Sequence, residues 1–280
     1  PELGPEDYNN YEFAPSRIIL WVANQQHLYF GSFVLAVPIF CMLIEFIGIR
    51  VRDEDSVMAE KYDRLAKDLM KVSLTAYSWT AILGGILLFT FITLFPGFFK
   101  YMAGIFRPVM HVYALMFLAE SGVLYVYYYG WDKMKDDTFL KWIHCSLSVL
   151  LNLIGTVLMY LANSWATFMQ APGGIDSEGR FLGNIWHVIH STLWNPVGVH
   201  RILGNIVFGG GIVGAYAAYH YLTAKNEEER AHYDWVCYVA MFICIFGLIP
   251  LPFAGYWLMK EVYAFRQQMG ITLMGGIMAW

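Results

Sequence analysis

Read for hydropathy, the chain alternates long apolar runs with short polar breaks. Seven runs are near or beyond the ~20 residues needed to cross the ~30 Å hydrocarbon layer of a bilayer. They cover about 18–49, 70–95, 105–130, 139–168, 199–222, 235–258 and 262–280. Backbone groups in lipid must be paired within their own segment, so these runs predict helices. The expected architecture is all-α: a polytopic transmembrane helix bundle of about seven spans, forming a single membrane domain over 1–280. Residues 1–16 form an external N-terminal segment. The longest connections are 50–69, charged and amphipathic, and 169–198.

Composition agrees. Of 280 residues 58% are hydrophobic and 14% charged, and mean hydropathy is +0.47, whereas a soluble domain carries about 25% charged residues. The net charge of −4 has no basic arm or acidic tail behind it, which argues against nucleic acid as a partner. Numbering the sides by alternation, eleven Lys/Arg lie on one side and seven on the other. The positive-inside rule then places the N-terminus outside. Trp21, Trp131, Trp142, Trp194, Trp235 and Trp257 near run ends suit an interfacial belt. Cys41, Cys145, Cys237 and Cys244 fall in apolar runs without a C-x-x-C pair, as small buried apolar residues do. A start at Pro1 without methionine and an end at Trp280 inside an apolar run point to a sequence trimmed at both ends.

Ionisable groups inside membrane helices are costly, which makes them functional candidates. Five of the eight histidines gather in the outer half: His27, His111, His200, His187 and His190. Haem iron takes a neutral imidazole or a thioether on its axial faces, and a helix bundle supplies such ligands from facing helices. His27 and His111 are placed to clamp one iron between helices 1 and 3. His200 is placed to hold a second, with Met269 of helix 7 opposite. Arg201 and Arg266 are the expected partners of haem propionates through charge-assisted bonds. The plainer reading, that each histidine only bonds across helices, stands beside this. His187 and His190, spaced i, i+3 in an amphipathic stretch, read as an interfacial face. His144, His220 and His232 near the inner ends read as snorkelling or headgroup contacts. Glu45 and Glu120 are carboxylates within helices 1 and 3, suited to a proton path or to bonding a neighbour. Gly209–Gly211 with Gly214 marks close helix approach or a flat wall against a porphyrin.

Several blocks together resemble subunit I of the cytochrome bd quinol oxidases. Glu120-Ser121 is followed at the family's spacing by Gly130-Trp131-Asp132, then Ala162-Asn163-Ser164-Trp165, Met169-Gln170-Ala171-Pro172 and Asn195-Pro196-Val197. Gln25-Gln26-His27, Glu45 and Phe265-Arg266-Gln267-Gln268-Met269-Gly270 match as well, the last with one residue inserted. The resemblance implies a haem-bearing, quinol-linked subunit with an external N-terminus. It implies that His27 is the histidine ligand in the oxygen-reducing haem pair, Met269 the methionine ligand of a low-spin haem b, and Glu120 a carboxylate of the haem pocket and proton route.

The departures describe a divergent, shortened member. The family's other helix 3 glutamate falls at or next to His111. Its low-spin histidine falls near Gly204, one turn beyond His200. The long quinol-binding loop after helix 6 is replaced by a short turn at 258–262, and the C-terminal helices are lacking. An imidazole in place of a carboxylate closes the iron's open face and favours electron transfer over oxygen chemistry. The expected function is thus a diheme b electron-transfer subunit of a quinone-linked oxidoreductase complex. It would reside in a prokaryotic cytoplasmic membrane and exchange electrons between the quinone pool and an outer c-type cytochrome or periplasmic oxidoreductase. The alternatives are an oxygen-reducing quinol oxidase whose remaining helices lie on another chain, and a haem-free membrane scaffold or transporter.

Overall fold

The computed structural model describes residues 9–273, and side chains to 272. Four long helices come first: α1 Ser16–Val51, α2 Ser56–Leu94, α3 Pro96–Met134 and α4 Thr138–Gln170. A single turn, α5 Ile185–Ile189, interrupts the next connection. Then follow α6 Trp194–Thr223, α7 Glu227–Leu248, α8 Leu251–Phe265 and α9 Gln267–Leu273. Among the described residues the chain is all-α, with six candidate spans, α7 and α8 counting together as one from Glu227 to Phe265.

Local chemistry sets the boundaries. Asp55, Asp137 and Asn226 accept hydrogen bonds from the backbone N–H of Met58, Leu140 and Glu229 and so cap α2, α4 and α7. Pro96 breaks what would otherwise be a continuous α2–α3 rod and opens α3 at its first turn. Both α2 and α3 have 39 residues, or about 58 Å of helix, so they overrun the hydrocarbon layer. The charged stretch expected as a connection at 50–69 is therefore mostly helix, since Asp55 starts α2 well before its apolar part begins.

α1 packs against α2, α4 and α6, while α3 lies diagonally across from it, held by α2 and α4. Phe33, Val37, Phe40, Ile44, Leu69 and Tyr127 form the heart of this bundle. α6 pairs with α7 and α8 in one register. Gly214 faces Met241, Gly210 faces Ala240 and Cys244, Gly247 faces Val207, and Gly255 faces His200. Each step along α6 is matched by an equal step along its partner, so α8 continues the line of α7 through the break at Ile249–Pro250.

This corrects the expected end of the chain. No turn lies at 258–262; α8 runs through it and stops at Arg266. There α9 folds back so closely that a Cβ on Gly270 would stand 2.5 Å from the Tyr263 Cα. The expected last span, 262–280, is split by this turn, and its part beyond 273 lies outside the described residues.

Candidate functional site

We call the end of the bundle holding Ser16, Leu94 and residues 171–193 the proximal end, and the opposite one the distal end. The proximal end is closed by the 171–193 connection. Val188 and Ile189 of α5 are buried against Met102, Ile105, Phe106 and Phe168, and the Tyr101 hydroxyl donates to the Gly179 carbonyl at 2.7 Å. Gly174 and Gly179 have φ of 71° and 77°, conformations that side chains resist. Trp186 and His187 stay exposed, and His190 sits between the rings of Trp186 and Trp194 at 3.8 and 4.3 Å.

About three turns below the proximal start of α1, His27 faces α2. Its Nδ1 lies 3.1 Å from the Thr80 carbonyl oxygen, which only accepts, so Nδ1 carries the hydrogen and Nε2 keeps its lone pair. The ring edge lies flat on α2 where Gly84 leaves room: a Cβ there would meet His27 Cε1 at 3.0 Å. An imidazole anchored by one nitrogen, with the other free, is the arrangement that orients an axial metal ligand.

Arg201 comes from α6. Its guanidinium donates to the Asn163 side-chain oxygen on α4. It has no ion-pair partner among the described residues, and Asn163 Nδ2 is buried without an acceptor. Arg201 lies within electrostatic reach of both His27 and Tyr113, and Tyr113 within reach of Glu120. Helices α1, α3, α4 and α6 thus bring a ligand-competent imidazole, an uncompensated guanidinium and an orphaned amide donor into one region.

Glu120 is buried on α3 and packs against α4 where Gly155 leaves no room for a Cβ, which would stand 2.9 Å from Oε1. With Ser73, Tyr77 and Asn152 it lines a small cavity of about 10 Å³, room for about one water. Ser73 Oγ has no partner there, and the Tyr77 hydroxyl meets Ser121 Oγ at 2.6 Å.

The other expected site residues lie elsewhere. His111 is exposed on α3. Tyr113 lies two residues on, about 200° around the helix, and it is Tyr113 that faces the interior. His200, next to Arg201, turns to α8, its Nε2 3.5 Å from where a Gly255 Cβ would be. Met269 on α9 and Arg266 at the α8–α9 turn are both exposed. The structure therefore gathers His27, Arg201 and Glu120, and it does not bring His111 to His27 or Met269 to His200.

Two constellations escaped the sequence reading. One is Tyr113 with Asn163, of which Asn163 stood inside a quoted motif without a role. The other is a buried polar cluster at the distal end, formed by Glu45, Asp63, Tyr127, Trp131, Lys141 and His144. His144, expected to snorkel, is fully buried there.

The donors at the proximal site fit a haem. The free Nε2 of His27 suits iron, and the unmatched Arg201 and Asn163 donors suit a propionate carboxylate. A family model described as cytochrome bd terminal oxidase subunit I matches residues 16–278. No curated protein matches the chain.

Proposed function

The chain belongs to the cytochrome bd terminal oxidase subunit I family, and from that premise we propose that it carries electrons between quinol and a partner redox protein at the proximal face. Members of the family are haem-containing, quinol-using membrane subunits that work within a complex. The proposal narrows this to two haems b, a c-type cytochrome or periplasmic oxidoreductase as partner, and a prokaryotic cytoplasmic membrane with the N-terminus outside. The Lys/Arg excess at the distal end supports that orientation.

The observation that carries the reading is His27, anchored through Nδ1 to the Thr80 carbonyl with Nε2 free. We assign His27 as an iron ligand and Arg201, with Asn163, as the clamp on a propionate. Haem, when bound, supplies a one-electron couple whose potential its axial ligands and surroundings set. The chain's own part is to fix the imidazole, to match the propionate charge in an apolar layer, and to keep a carboxyl group, Glu120, one helix away. His200, which faces Gly255 of α8, is the proposed ligand of a second haem.

A second reading, oxygen reduction with the remaining helices on another chain, is favoured by one observation. His111 is exposed on α3 and so is not presented inside the bundle as a second imidazole for the site at His27. Spectra of the purified, reduced protein with and without carbon monoxide separate the two. His27→Ala should remove one haem b signal and His220→Ala none. Loss of that same signal in His111→Ala, without carbon monoxide binding, supports the closed electron-transfer site; carbon monoxide binding with His111→Ala unchanged supports oxygen chemistry. A wild type without haem b absorbance would sink both and leave the haem-free scaffold.

A further inference from the structure

The distal cluster lies about five helical turns along α1 from His27 and uses none of the residues assigned above. Glu45 sits at its centre, its side chain wholly inaccessible. Lys141 Nζ donates to Glu45 Oε1 at 2.8 Å, and the Tyr127 hydroxyl donates to Oε2 at 2.7 Å. His144 Nδ1 lies 2.5 Å from the same Oε1. The other ring nitrogen, Nε2, lies 2.8 Å from the Tyr127 carbonyl oxygen.

Donors and acceptors can be assigned one by one. A carbonyl oxygen only accepts, so Nε2 carries a hydrogen. Glu45 already accepts from an ammonium and a phenol, contacts that favour its carboxylate form, so the hydrogen between Nδ1 and Oε1 is assigned to Nδ1. A ring that donates from both nitrogens is an imidazolium. The charges then cancel: His144 and Lys141 against Glu45 and Asp63, which Lys141 also contacts. Without the His144 proton, a net negative charge would remain beside the inaccessible Glu45 carboxylate, and such charge is costly.

Among the described residues, the cluster meets solvent at Asp63. The Asp63 side chain is 22% exposed, against 5% for Lys141, and its second oxygen accepts from Trp131 Nε1 at 3.0 Å. The Trp131 ring also underlies Lys141, 4.6 Å from Nζ. On the other side, buried Val37, Cys41, Leu124 and Leu151 separate Glu45 from the Glu120 cavity. The titratable neighbours are the Cys41 thiol of α1, Asp63 of α2, Tyr127 of α3, and Lys141 and the Cys145 thiol of α4.

We propose that the Glu45–His144 pair is an internal proton-binding site, filled from the distal water through Asp63 and Lys141. Asp63 takes the proton from water. Lys141 passes one of its three protons to the pair and recovers one from Asp63, so the ammonium is restored and one proton has moved inward. No electron and no other reactant takes part.

Nitrogen-15 NMR of histidine-labelled protein in membranes tests this without any haem. One histidine should show both ring nitrogens protonated at neutral pH, lost in His144→Asn and kept in His220→Asn. Should His144→Asn not fold, the wild type decides alone. The doubly protonated ring must lie within transfer distance of a glutamate carboxylate carbon, because among the described residues only His144 makes such a contact. In Lys141→Met, exchange of its Nδ1 hydrogen with heavy water should slow by about tenfold or more, the link to solvent having been cut. The proposal fails if no histidine is doubly protonated, if that ring lacks a glutamate neighbour, or if the exchange rate ignores Lys141.

Discussion

At the scale of single residues, what the chain shows is a matter of which charges meet. Glu45, Asp63 and Lys141 come from three helices and lie up to 96 positions apart, yet Lys141 bridges both carboxylates. Removing one partner of a buried pair strands the other at a cost of about 3–5 kcal/mol. Lys141→Met should therefore lower unfolding stability in detergent by about that amount, and adding Glu45→Gln should restore part of it. The Lys67–Asp132 pair, 2.6 Å apart with Asp132 65% exposed, is screened by solvent, and its loss should be barely measurable by the same assay. Residue type alone revealed His27, Glu120 and Arg201, because ionisable groups in apolar runs are conspicuous. Facing was not legible. In lipid the outer surface of a helix is as apolar as its core, so the polarity that separates inside from outside in water is lost. That is why His111, and not Tyr113, stood out. The distal cluster stayed hidden for a related reason: no local pattern pairs residues that meet only through helix packing.

Elements are fixed by caps, prolines and glycines, and these were partly legible. The apolar runs located the spans but not the helices, since α2 begins at a capping aspartate fifteen residues before its expected apolar start at 70. The glycine run of α6 signals close approach, and that is its use: Gly209 lies against α1, where a Cβ would stand 2.5 Å from that of Ala36. Gly209→Ala should thus cost about 1–3 kcal/mol of stability through overpacking, whereas Gly211→Ala, with open space around it, should cost little. The 171–193 connection is held differently. Arg180 donates from its backbone N–H and its side chain to Asp176, and Glu178 adds a backbone donor. Those bonds, the Arg180 backbone N–H foremost, hold the Asp176 carboxyl below its usual range. A depressed folded value means the bonds stabilise the loop fully above the ordinary aspartate value of about 3.9 and are lost as pH falls below it. The backbone N–H of Leu182, bonded to the Gly174 carbonyl at 3.0 Å, should lose protection from hydrogen exchange over that window. Asp176→Asn should abolish the pH dependence.

Across the whole molecule the bundle has a wet charged end, a site near the other end, and six described spans between. Residues 174–182 and 224–226 lie at opposite ends of the bundle, so single cysteines at Ser177 and Asn226 should react with an impermeant thiol reagent from opposite sides of a sealed vesicle. Reaction from one side would refute the topology. The unbroken register between α6 and the α7–α8 line has a further consequence. Because that register is written in side-chain contacts along the helices, the short link at 224–226 contributes connection and little else. Cutting the polypeptide there should yield two fragments that, coexpressed, find each other in the membrane and restore the parent fold. Adding one residue within α7, by contrast, would turn everything beyond it by about 100° and set His200 against the wrong neighbour. The gene, in other words, tolerates a break where it would not tolerate an insertion.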